Sequence, residues 1–235
     1  MRKEDVESLA EFVSRISVYD LLSHHAIFRG QPVAGNLLPS IARASSCEDT
    51  TNLEQAMLSQ FKRIGVTKIS AHNSTVWDHL VLAQHFGMKT RLLDWSTNPL
   101  VALYFACSGS EPGDVYVYSL LGDELLLESS DADPFRPERT WVIYPDLSNE
   151  RIIAQHGCFT AHAYSKKSQC WVPLERNKTA KAVLTEYRVP ANKRAEIQKE
   201  LDRCGINQST LFPDLEGLGR YLNWRAEKGE IPYLK

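Results

Sequence analysis

At 235 residues, 43% of them hydrophobic, the chain is long enough to bury one large core, and no linker composition divides it into two. Lysine and arginine total 27 against 29 aspartate and glutamate, a net charge of -2. This excludes an overall basic field that would gather nucleic acid or anionic membrane, though it permits a local basic patch. The five cysteines, Cys47, Cys107, Cys158, Cys170 and Cys204, are odd in number and hold no CxxC pair, which argues for reduced thiols and against a disulfide framework or a zinc site.

The N-terminal MRKEDVESLAEF lacks an apolar h-region, so no signal peptide is expected. The longest apolar runs, such as Leu100 to Cys107, fall far below the roughly 20 residues of a membrane span. The expectation is a soluble, cytoplasmic protein with no membrane partner.

Residues 5 to 23 place Val6, Leu9, Ala10, Phe12, Val13 and Ile16 at helical spacing, with Leu21 and Leu22 less regular, and predict an amphipathic helix. Ala26 to Gly30 is a short apolar run that reads as a strand with Arg29 at its end, beside a glycine that lets a ligand approach the backbone. Gln31 to Asp49 is loop-rich. Residues 52 to 64 form a helix with Leu53, Met57, Phe61 and Ile64 on one stripe, and residues 71 to 74 (AHNS) read as a loop. A further helix covers Thr75 to Phe86 and ends at Gly87 as a left-handed cap.

Strand Thr90 to Trp95 is followed by the turn Ser96-Thr97-Asn98 and a helix from Pro99 to Cys107 that is apolar all round and therefore buried. Asp114 to Leu120 alternates as a strand. Residues 121 to 139 read as a surface excursion, Trp141 to Tyr144 as a strand, and Arg151 to His162 as two short strands or one bent at Gly157. AVLTEYRV makes another strand, Ala191 to Cys204 a helix capped by Gly205, and Leu215 to Arg225 a last helix packing through Leu215, Leu218, Tyr221 and Leu222. Because helices and strands do not alternate strictly, the prediction is an α+β single domain of short, mostly antiparallel strands with a helical N-terminal half. Its parts are an N-terminal helix in 1–25, a main unit in 26–220, and a helix end and tail in 221–235.

The polar residues inside these apolar runs each admit two readings. Arg29 is either a solvated strand end or a fork of donors for a phosphate or carboxylate. Arg91 and Asp94 bracket Leu92-Leu93 and face opposite sides of a strand, so either Asp94 caps the following turn while Arg91 pairs with a carboxylate elsewhere, or both serve a site. His85, at a helix C-terminus, is a structural histidine or a catalytic one with Asp94 as its nearest carboxylate. No GxSxG, HExxH, P-loop or GxGxxG motif occurs, and the histidines form no convincing metal set.

Phe28-Arg29-Gly30-Gln31, Leu82-Ala83-Gln84-His85-Phe86-Gly87, Thr90-Arg91-Leu92-Leu93-Asp94-Trp95 and Asn98 to Ala106 together resemble the FRG domain family, and later blocks extend the likeness over 26–220. The order of these motifs is in turn similar to that of the arginine-serine-glutamate ADP-ribosyltransferases, which implies an ADP-ribosyltransferase-like core and NAD as substrate. The resemblance implies cofactor binding by Arg29, Gly30, Ser96, Thr97 and Tyr104 and catalysis by Glu150, with Gln155 as a neutral substitute and Asp94 as a further acidic candidate; Arg91 is added to the cofactor-binding candidates and His85 to the catalytic ones from their place in the polar stretch Gln84 to Asp94. It departs from the pattern at the late glutamate, where only Glu150 is acidic. The implied function is an NAD-dependent effector or toxin domain, of the kind used in bacterial defence, acting on a protein or nucleic-acid acceptor without a metal. The alternatives are a nucleotide or nucleic-acid hydrolase using His85, Arg91 and Asp94, and a non-catalytic binding module.

Overall fold

The computed structural model describes residues 1–19, 23–69, 75–127, 129, 132–146 and 149–231. Strand β1 (Arg2–Asp5) and helix α1 (Leu9–Ile16) precede β2 (Ala26–Gln31), the strand of Arg29. Helices α2 (Thr51–Gly65) and α3 (Val76–His85) lead to β3 (Leu92–Ser96), α4 (Pro99–Cys107) and β4 (Val115–Leu121). Next come β5 (Trp141–Ile143), α5 (Glu150–Ala154), β6 (Gly157–Ala161) and the small pair β7 (Tyr164–Ser165) and β8 (Cys170–Trp171). The chain continues through α6 (Lys178–Ala182), β9 (Leu184–Val189), α7 (Arg194–Arg203), α8 (Gln208–Leu211) and α9 (Leu215–Glu227). No helix among the described residues is long and apolar enough to cross a membrane.

Among the described residues, seven strands form one sheet in the order β1-β9-β4-β2-β3-β6-β5, and β7 and β8 pair separately. Every neighbouring pair is antiparallel except β1 with β9, so the molecule is an α+β domain. Alternation along the strands feeds a core on each side. Phe28, Val117, Tyr187 and Val189 meet α1, α4 and α7 on one face, while Ile27, Leu93, Trp95, Tyr118 and Leu120 pack against Leu174 and Ala180 on the other. Helices α2 and α3 cover Leu92, Phe159 and Ala161.

The feature that makes a site is a gap in this sheet. β2 pairs with β4 along its whole length, from Ala26↔Leu121 to Gln31↔Tyr116, but with β3 at Phe28↔Ser96 alone. Beyond that point Arg29 to Gln31 diverge from Leu92 to Trp95, and backbone that would have formed a ladder borders an open cleft.

Several expectations are corrected. The first residues are not helical from position 5: Arg2–Asp5 is a strand, and the helix begins at Leu9 behind Ser8, whose side chain accepts from the Glu11 amide. The charged RKED sequence has no apolar pattern, and pairing with β9 makes it extended, with its charges suited to a sheet edge. Leu21, Leu22 and residues 71 to 74 lie outside the described residues. Arg151 to Ala154 is helical, started by the Asn149 side chain accepting from the Arg151 amide; only Gly157 onward is strand. In α2 the inward face holds Glu54 and Leu58, while Leu53 and Ile64 are 54% and 70% exposed. In α9 Leu215, Leu218 and Leu222 are exposed and Gly217 faces in, because a Cβ there would lie 2.0 Å from the Phe212 carbonyl oxygen.

Candidate functional site

The gap between β2 and β3 opens into a cavity of about 330 Å³ lined by Arg29, Gly30, Gln84, His85, Asp94, Ser96, Phe105 and Gln155, among others. Its floor depends on Gly30. A Cβ at that position would sit 1.8 Å from the Ala102 carbonyl oxygen and 2.5 Å from the Ala106 nitrogen, so only glycine lets α4 lie against β2. Helix α4 is itself set by Asn98, whose side chain accepts from the Leu100 amide, and by Pro99 at its first position.

Arg29 spans the gap. Its Nη1 donates to the Asp94 carbonyl oxygen at 2.7 Å and its Nε to Gln31 Oε1 at 3.3 Å, with the Asp94 carboxylate 3.9 Å from Nη1. Nη2 has no acceptor among the described residues. Burial lowers the Arg29 pKa from the ordinary arginine value, Asp94 opposing and Arg43 adding to that effect. A guanidinium 15% exposed, with an unfilled donor, is a ready partner for an anion.

Asp94 is 62% exposed at its side chain. Gln84 fixes its orientation: Nε2 donates to Asp94 Oδ1 at 2.8 Å, and Gln84 Oε1 accepts from the Thr90 hydroxyl. His85, half-buried at the end of α3, has its pKa pushed below the usual histidine value by burial and by Arg151, with Asp94 acting the other way. A neutral imidazole and a carboxylate therefore line the same cleft near neutral pH.

Ser96 and Gln155 close the far side. Ser96 Oγ donates to the Gln155 carbonyl oxygen at 2.7 Å and accepts from the Asn98 amide at 3.0 Å, so it braces the turn into β6. The Thr97 amide adds a bond to His156 O at 2.9 Å, and His156 takes the left-handed conformation, φ 49°, that brings the chain round. Gln155 Nε2 donates to Leu211 O at 3.1 Å, leaving its side-chain oxygen without a donor among the described residues.

The other residues named from sequence lie elsewhere. Arg91 is fully buried, with Nε 2.8 Å from Glu54 Oε2 and Nη1 donating to Pro134 O at 2.8 Å, and its guanidinium stacks over Phe135. Glu54 also accepts from the Arg91 amide at 2.6 Å; burial raises its pKa and Arg91 opposes the rise. Thr97 borders a separate groove with His24, His25 and Phe28. Tyr104 lines a neighbouring cavity and donates to Gln208 Oε1 at 2.7 Å, and burial pushes its pKa up to about 12. Glu150 is exposed in the first turn of α5 and does not line the cleft. His85, Arg91 and Asp94 do not form one site. No group of three or more metal-ligating side chains occurs among the described residues.

Two contributors were not singled out from sequence. Gln84 lies in the Leu82-to-Gly87 motif and acquires a role only through its contact with Asp94; Phe105 is, from sequence, one apolar residue of a buried helix. A polar side chain in the last turn of a helix, ten residues before an aspartate, is a weak signal by itself.

No curated protein and no solved structure matches the chain. A family model does: the FRG domain, over residues 24–114, a span that begins at the residues leading into β2 and ends just before β4. The Phe28-Arg29-Gly30 tripeptide whose arginine crosses the gap and whose glycine seats α4 thus lies inside that span, and residues 24–114 are similar to the FRG domain.

Proposed function

We propose that the cleft between β2 and β3 binds the nicotinamide nucleoside end of NAD and transfers the ADP-ribosyl group to a protein or nucleic-acid acceptor. The observation that carries the reading is the meeting of Arg29, Asp94, Gln155 and a neutral-leaning His85 in one cavity, whose volume of about 330 Å³ suits one end of a dinucleotide. Arg29 offers Nη2 to a phosphate of the substrate.

In the reaction the ribosyl C1′–N bond breaks and nicotinamide leaves with the bonding pair. A lone pair on the acceptor then forms the new bond to C1′, and the acceptor proton passes to His85. The Asp94 carboxylate, held by Gln84, faces the developing oxocarbenium charge, and the Gln155 oxygen supplies a neutral acceptor beside it. Asp94 takes this role in preference to Glu150, which is outside the cleft.

The test is nicotinamide release and label transfer from NAD by the intact chain. Asp94→Asn is expected to lower kcat by about 100-fold with the fold retained, the scale of losing one preorganised electrostatic contact. Glu150→Gln is expected to leave the rate unchanged. A chain that neither binds NAD nor releases nicotinamide overturns the proposal.

A further inference from the structure

A second cavity, of about 350 Å³, opens on the other side of Phe105, which lines both. Its walls are aromatic. Phe105 meets Phe212 edge to face with ring centroids 6.1 Å apart, and Tyr221 and Trp224 on α9 present nearly parallel rings, 19° between planes. The exposed leucines of α9 show that the helix is turned to bring this aromatic face inward at the expense of its aliphatic one. Among these rings stands one carboxylate, Asp202; Asn207 Nδ2 donates to its Oδ1 at 2.9 Å, and Arg220 lies at the rim.

Arg151 lines neither cavity but touches a wall of the second and acts electrostatically on His85 of the first. It belongs to α5, whose Ile152 and following residue Gln155 line the first cleft, and its guanidinium lies over the Phe212 ring of the second, 5.0 Å from the centroid. Asp214 holds one nitrogen, Nη2, at 3.0 Å, while Nε and Nη1 have no acceptor among the described residues. Asp214 is in turn fixed at the start of α9 by accepting from the Gly217 amide at 2.7 Å. The arginine is therefore positioned, 35% exposed at its side chain, and has donors to spare.

We infer that the second cavity is a nucleobase subsite and that Arg151 anchors the phosphates leading to it, so that the ligand is an adenine dinucleotide lying across Phe105. This deepens the proposed function and rests on that reading for the identity of the other half of the ligand. The base is chosen by chemistry: rings stack on any base, but Asp202 only accepts hydrogen bonds, so it favours the exocyclic amine of adenine over the carbonyl of hypoxanthine. Arg151 supplies a fork suited to phosphate oxygens.

Calorimetric titration of the intact chain with AMP tests the subsite without involving the first cleft. AMP is expected to bind, IMP at least about tenfold more weakly, a difference on the scale of one unmatched hydrogen-bonding group. Trp224→Leu and Arg151→Gln are each expected to weaken AMP by about tenfold, the range of stacking and charge-assisted contacts. Arg151→Gln changes a partly exposed side chain, so it remains informative if Trp224→Leu does not fold. No AMP binding, equal binding of AMP and IMP, or AMP affinity indifferent to the foldable variants overturns the inference, whether or not NAD is turned over. Trp224- and Arg151-dependent AMP binding in a chain that never releases nicotinamide upholds the subsite while the transferase reading fails.

Discussion

Arg29 and Arg91 are both arginines beside apolar strand residues, and the structure separates them by how their donors are used. Each guanidinium nitrogen of Arg91 donates, to Glu54, Pro134 and Thr51 in turn, and the group stacks on Phe135, as suits a buried charge. Arg29 has one nitrogen unfilled and faces a cavity. Their charges also act on His162, which is 2% exposed. Thr160 Oγ1 accepts from Trp95 Nε1 and lies 3.0 Å from His162 Nε2, and His162 Nδ1 has no partner among the described residues. Burial, then Arg29 and Arg91, lower the His162 pKa to about 3. Unfolded histidine titrates near 6.5, so below that pH the unfolded chain binds the extra proton and stability falls as pH drops toward 3. Urea unfolding between pH 6 and 4 should lose about 1 kcal/mol per pH unit from this group. His162→Gln should flatten the slope by that amount, and an unchanged slope would contradict the assignment.

At the scale of elements, the site is made by two contacts between units that each form for local reasons. Helix α4 is apolar on every side and capped by Asn98, and strand β2 lies between β4 and β3; their contact requires glycine at position 30. The obstructing atoms are main-chain atoms of a buried helix, which cannot yield as a flexible side chain would. Gly30→Ala should therefore destabilise the fold by about 3 kcal/mol, the upper part of the overpacking range, read as a lower urea midpoint. The second contact is Ser96, whose bonds to Gln155 and Asn98 tie the end of β3 to the turn before β6. Through it α5 and β6 reach the cleft although they lie outside the FRG match.

For the molecule as a whole, the sheet is extended on one edge by the first residues of the chain. β1 runs parallel to β9, Asp5 pairs with Arg188 at 2.8 Å, and Val6 is fully buried while its amide donates to Arg188 O. Removing residues 1–7 would strip that edge and uncover the surface around Tyr187 and Val189. The truncated chain should lose at least about 2 kcal/mol, the scale of burying one valine side chain. Amide exchange should accelerate first in β9, and equal protection of β9 in both chains would show that β1 adds nothing.

What the sequence determined by itself was local: the limits of α4, the start of α3 at Thr75 and its Gly87 cap, strand β2, and the Phe28-Arg29-Gly30 tripeptide that lies inside the FRG match. These depend on covalent geometry and on side-chain periodicity within one turn or one pleat, which a linear reading contains. Tertiary structure alone decided which polar groups face one another. Glu54 meets Arg91 across 37 residues and Arg29 meets Asp94 across 65, and the same long-range packing turned α2 and α9 away from their leucine stripes. The energy of a charge depends on its partner and its exposure, and both are set by residues distant along the chain. Hence Arg29 was legible as a candidate from its tripeptide, whereas the pairing of Asp94 with Gln84, the withdrawal of Arg91 and the outlying place of Glu150 emerged only from the fold.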